Sequence, residues 1–112
     1  MSDELLFDVE DHVARLTLNR PKALNSISHA LDLELVQAWD RIDEDPDIWV
    51  AVLGAAGDRA FCAGADISGG THADASRMAL GGGLTGVGGP LRVLRKPLIA
   101  AVHGYALGGG FE

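Results

Sequence analysis

Two glycine-containing segments hold the residues of this sequence best suited to chemistry: Ala60-Phe61-Cys62-Ala63-Gly64-Ala65-Asp66-Ile67 and Gly104-Tyr105-Ala106-Leu107-Gly108-Gly109-Gly110-Phe111-Glu112. Each follows a stretch that reads as a β-strand, so each offers backbone amides at a strand's carboxyl end. Glycine permits close approach and positive φ, and two such loops can aim two N–H donors at one oxygen. A carbonyl held that way is stabilised as it turns into an enolate. A helix starting in the second glycine run would add positive potential at the same oxygen. Read from the residues alone, the same segments fit more readily two tight turns that let strands and helices pack closely.

Other reactive residue types point nowhere definite. Cys62 is the sole cysteine, so an internal disulfide and a paired-cysteine zinc site are both excluded. It lies beside the first glycine segment without a neighbouring base in sequence and reads as a small buried hydrophobe. His12, His29, His72 and His103 are far apart and show no ligand spacing, so no metal is assigned. The string Gly81-Gly82-Gly83-Leu84-Thr85-Gly86 spells GxGxxG, but it follows a helix-like patch and runs on to Pro90. A dinucleotide fingerprint must follow a strand and open a helix.

The elements that would position the two loops are legible in the hydrophobic pattern. Leu5 to Val9 and His12 to Leu18 flank a short acidic turn at Glu10-Asp11 and read as a hairpin, with Ala14, Leu16 and Leu18 on one face. Asn19-Arg20-Pro21 stops the second strand, because proline has no N–H for a ladder and restricts the residue before it. From Ser28 the period lengthens: Leu31, Leu35, Ala38, Trp39 and Ile42 recur at helical spacing, with Ser26 or Ser28 as the cap and Asp45-Pro46 as the stop. Ile48 to Leu53 is a β-branched apolar run and predicts a buried strand, which completes a βαβ unit. Residues 68–90 hold more than half of the glycines and predict a flexible loop, with a helix-like patch from Ala73 to Leu80. Leu91 to Leu94 reads as a short helical turn, and Pro97 to Val102 as a second buried strand.

Composition sets the outer bounds. The 112 residues suit one domain or part of one, and 47% apolar with 22% charged residues suits a globular core. A net charge of −7, with acids clustered at Asp43, Glu44, Asp45 and Asp47, leaves no basic stripe for nucleic acid. The acidic start Met1-Ser2-Asp3-Glu4 fits neither a signal peptide nor a transit peptide, and no apolar run has the length of a membrane span. A reducing, cytoplasmic setting is the expectation.

Taken in order, the segments resemble the enoyl-CoA hydratase/isomerase, or crotonase, family. The resemblance is carried by Leu18-Asn19-Arg20-Pro21-Lys22-Ala23-Leu24-Asn25, by Phe61-Cys62-Ala63-Gly64-Ala65-Asp66-Ile67, and by Lys96-Pro97-Leu98-Ile99-Ala100-Ala101-Val102-His103-Gly104 with Ala106-Leu107-Gly108-Gly109-Gly110-Phe111-Glu112. It implies an α/β crotonase-like ββα spiral fold, its amino-terminal part only, in one acyl-CoA-binding domain over residues 1–112. It also implies that the amides of Ala65 and Gly109 hold a thioester oxygen and that Glu112 is the first of two acid/base glutamates. Lys22, Ala23 and Leu24 with Ala63, Asp66 and Ile67 would receive the CoA adenine and ribose-phosphate. Coenzyme A is then part of the substrate, and no separate cofactor is implied.

The reaction so implied is hydration of a 2-enoyl-CoA thioester. In full-length form the family resemblance implies a homo-oligomer, a trimer or hexamer, with no nucleic-acid or membrane partner. His103 departs from the asparagine of many members, and the glycine-rich 68–90 segment is poorer in bulky residues than the family's acyl-side helix. The family's second glutamate would fall about twenty residues beyond Glu112, so the 112-residue chain alone is expected to be inactive. Two alternatives remain open on these residues: another crotonase-family acyl-CoA reaction (isomerase, dehydratase, decarboxylase or hydrolase), or a non-catalytic truncated CoA-binding fragment.

Overall fold

The first two strands are a tight antiparallel hairpin, β1 (Leu5–Glu10) and β2 (Val13–Leu18), in a computed structural model that describes residues 3–64 and 93–111. The turn residues are Asp11 and His12, at φ 52° and 67°, one position later than the sequence pattern suggests. Two successive positive φ values make the primed turn whose twist matches that of the flanking strands. His12 is fixed there by more than the turn. Its ring stacks on Trp49 at 3.8 Å between centroids, Nδ1 lies 2.8 Å from the Asp47 carbonyl oxygen, and its own carbonyl accepts the Trp49 N–H at 2.8 Å.

Helix α1 (His29–Glu44) follows a loop, and its start and stop are chemically explicit. Ser28 is the cap: its Oγ accepts the Leu31 N–H at 3.1 Å and donates to Glu4 at 2.9 Å. Leu31, Leu35, Ala38, Trp39 and Ile42 form the buried stripe, and they pack with Leu5, Ala14, Leu16, Leu18, Ile48 and Ala51 in one core. Each such leucine or isoleucine contributes roughly 1.5–3 kcal/mol by leaving water. The charged residues Asp40, Arg41 and Glu44 face outward.

Strand β3 (Val50–Ala55) then pairs parallel with β2, Val13 opposite Val50 through Leu18 opposite Ala55, which confirms the βαβ unit. After β4 (Ala60–Cys62), strand β5 (Leu98–Ala100) pairs parallel with β3, giving the order β1-β2-β3-β5. The expectation of a second buried strand over 97–102 is corrected here. Leu98 is half-buried, but Ile99 is 55% exposed and Ala100 and Ala101 are exposed. The reason is position: among the described residues β5 is an edge strand with β3 as its one neighbour in the sheet. Strand β3 is likewise half-covered rather than enclosed, since only Ala51 is fully buried. The expected loop at 68–90, the patch at 73–80, the GxGxxG string and the first residues of the 91–94 turn lie outside the described residues.

The entry to β5 is pinned to the far end of α1. Lys96 Nζ donates to the carbonyls of Ile42 and Asp45, each at 2.5 Å, and the Arg95 N–H donates to Asp43 Oδ1 at 3.0 Å. The last carbonyls of a helix lack intrahelical partners, so an ammonium there satisfies them and complements the negative end of the dipole. Replacing Lys96 with methionine keeps the stem and removes the donor. We predict that Lys96→Met lowers the unfolding free energy by about 1.5–3 kcal/mol, the scale of a charged hydrogen bond, read as a lower urea midpoint in the full-length protein.

Candidate functional site

The two glycine segments meet because their strands pair. Strand β4 lies parallel to β6 (Tyr105–Ala106), with Ala60 opposite Tyr105 and Cys62 opposite Ala106. The Tyr105 N–H donates to Arg59 O at 3.1 Å and the Leu107 N–H to Cys62 O at 3.0 Å, so the pairing continues to the point where both chains turn into glycine. Beyond it, Gly64 sits at φ +98°, and a Cβ built on it would lie 2.9 Å from Leu107 O and 3.3 Å from Gly109 N. No side chain fits there. Gly110 approaches Cys62 just as closely, its missing Cβ directed at the Cys62 carbonyl.

Gly108 to Gly110 form a single 3-10 turn, closed by the Gly110 N–H to Leu107 O at 2.8 Å and the Phe111 N–H to Gly108 O at 3.0 Å. Phe111, which follows the turn, keeps helical backbone angles of φ −76° and ψ −36°. The Gly109 N–H itself donates to no oxygen among the described residues. It lies at the carboxyl end of β6, beside Gly64. Ala65 and Glu112, the other two residues given catalytic roles by the resemblance, lie outside the described residues, as do Asp66 and Ile67.

The early segment joins the same place from the other side. Pro21–Ala23 is a 3-10 turn held by the Ala23 N–H to Arg20 O at 2.9 Å and the Leu24 N–H to Pro21 O at 3.1 Å. Leu24 O then accepts the Ala63 N–H at 3.1 Å, and the Ile27 N–H donates to Gly64 O at 2.7 Å. Lys22, Ala23, Leu24 and Ala63 are thus brought together, with the Lys22 side chain exposed and Ala23, Leu24 and Ala63 half-buried. Arg20 is spent on structure: its guanidinium donates to Ser26 O at 2.5 Å and lies 3.4 Å from the Glu4 carboxylate. Asn25, for which the sequence pattern gives no separate role, is completely buried beneath this turn.

Cys62 is buried under the junction, and burial pushes its thiol above the ordinary value near 9.0, while a hydrogen bond from the Gly64 amide opposes that shift. It is a packing residue. Among the described residues no three His, Cys, Asp or Glu side chains converge as metal ligands, and no helix is long and apolar enough to cross a membrane.

A sequence profile described as enoyl-CoA hydratase/isomerase matches residues 8–112. The chain belongs to that family. Relatives of it include an (E)-benzylidenesuccinyl-CoA hydratase of Thauera aromatica, 40% identical over 94% of this chain and 41% of its own length. A carnitinyl-CoA dehydratase of Proteus mirabilis is 40% identical over 100% of this chain and 42% of its own. The crystal structure of an enoyl-CoA hydratase from Mycobacterium marinum superposes with a TM-score of 0.79 at 39% identity, covering 98% of this chain and 42% of that one. The chain therefore spans about two fifths of the length of these relatives, and its architecture is that part of the crotonase fold. In this crotonase-family chain the close approach at Gly64 makes a direct prediction. The native Cys62 thiol is expected to react with a disulfide reagent at pH 8 far more slowly than in the denatured chain, with reactivity rising only as pH climbs above the ordinary thiol value. Gly64→Ala forces a side chain against Leu107 O and is expected to expose the thiol, accelerating that reaction by at least about tenfold, the effect of roughly 1.4 kcal/mol less cost of local opening.

Proposed function

We propose that this segment forms the CoA-binding and thioester-oxygen half of an enoyl-CoA hydratase. The observation that carries the reading is the junction itself, where paired strands β4 and β6 bring Gly64 against the amide of Gly109. In this proposal the N–H groups of Gly109 and Ala65 hold the thioester oxygen. The oxygen of a water molecule bonds to C3 of the enoyl group while the C2–C3 π electrons move through C1 onto that oxygen, and the fixed donors stabilise the resulting enolate. Glu112 accepts the proton released by the water, and a second acid returns a proton to C2. The sum is addition of one water.

The CoA part would lie along the Pro21–Ala23 turn, where Lys22, Ala23 and Leu24 meet Ala63, and the family resemblance adds Asp66 and Ile67 to its contacts. Exposed Lys22 would meet a phosphate as a mobile point charge. Support comes from relatives named as a CoA hydratase and a CoA dehydratase, names for the addition of water to a CoA compound and for its removal. The whole protein would work in the cytoplasm as a homo-oligomer, with no separate cofactor.

Gly109→Pro removes the proposed donor and is expected to lower turnover of crotonyl-CoA by about 10²- to 10³-fold, the scale for one oxyanion donor. The assay follows loss of the enoyl absorbance in the full-length protein, with circular dichroism to confirm the fold. Unchanged turnover in a folded variant would remove this amide from the mechanism.

A further inference from the structure

Asn25 is 0% exposed, and its side chain is fully used. Oδ1 accepts the Arg20 N–H at 2.8 Å, while Nδ2 donates to Ala56 O at 2.8 Å and to Ala60 O at 3.0 Å. Those two carbonyls stand at opposite ends of the connection from β3 to β4. The backbone N–H of Asn25 returns to Arg20 O at 2.9 Å, closing the turn that carries Lys22. Its φ of 54° is a conformation that asparagine tolerates better than most residues. On either side of it, Leu24 O takes the Ala63 N–H and the Ile27 N–H reaches Gly64 O.

We propose that Asn25 is a positioning residue that sets the height of β4, and with it the Ala63–Gly64 backbone, relative to the Lys22 turn and to Gly109. The argument is one of valence. Holding Ala56 O and Ala60 O together needs two donors on one rigid group, and holding the Arg20 N–H needs an acceptor on that same group. Of the side chains of this size, only the amide of asparagine has both. A shift of about 1 Å in a positioned group can cost on the order of 10²-fold in rate, so the oxyanion geometry depends on these three bonds. The proposal rests on the function proposed above for its kinetic consequence, but not for its structural one.

Asn25→Asp separates the two halves of the role. The carboxylate keeps the shape and the acceptor for Arg20, so the Lys22 turn stays closed, but it turns lone pairs toward Ala56 O and Ala60 O. In the full-length protein we expect kcat for crotonyl-CoA to fall about 10²-fold with KM changed by less than about threefold. Hydrogen exchange should accelerate in peptides covering 56–64, while those of β1, β2 and α1 keep their protection. Asn25→Ser, which retains a single donor in a smaller side chain, should give an intermediate effect in both readouts and serves if the aspartate variant does not fold. Unchanged exchange over 56–64, or an equal increase along the whole chain, would overturn the positioning role. Wild-type protein that fails to hydrate crotonyl-CoA would instead overturn the proposed function, with the exchange experiment still deciding the role of Asn25.

Discussion

The approach of Gly64 to Gly109 leaves room for backbone alone, with Leu107 O and Gly109 N occupying the space a Cβ would need. Contact that close is sustained only when both chains are held rigidly from behind, and the described structure is arranged to do this. One side is held by the β4–β6 ladder and the Leu107 N–H to Cys62 O bond. The other is held by Ile27 bonded to Gly64 and by Asn25 beneath β4. Cys62 fills the space under the junction, and its raised thiol pKa is the electrostatic mark of how little water reaches it.

Charge is distributed to match. The chain carries a net −7, yet any CoA ligand is itself anionic, so attraction has to be local rather than global. Arg20 stands two residues before Lys22 but is committed inward to Ser26 O and Glu4, where it ties the loop to the start of β1. Lys22 stays exposed on the turn. Two cations separated by one proline therefore differ in use, the planar guanidinium bracing several partners in fixed geometry and the flexible ammonium remaining open to solvent.

How much of this could be read from the residues depends on whether the signal was periodic. The hairpin, α1 with its stop at Asp45, and the parallel pairing of β3 followed from alternation and helical spacing, because burial imposes those periods. The family, and the convergence of two glycine loops after strands, followed from order and wording. Three features escaped. The exposure of β5 was missed since an apolar run does not say whether a strand has a neighbour on both edges. The turn lies at Asp11-His12, one residue beyond where the pattern places it, for backbone handedness leaves little trace in residue type. Asn25 leaves no local signal because its value lies in carbonyls 31 and 35 positions away, which no local pattern announces.

Lys96 bonds two carbonyls at the end of α1 across separations of 54 and 51 residues. Those carbonyls are presented side by side only once the helix has completed its final turn and broken at Asp45. The contact thereby couples the two elements: the anchor for β5 exists only while the last turn of α1 is formed, and β6 with the second glycine turn follows that strand in the chain. Fraying of that last turn is therefore transmitted to the entry of β5, a local opening at one end of the helix loosening the strand that precedes the second glycine turn.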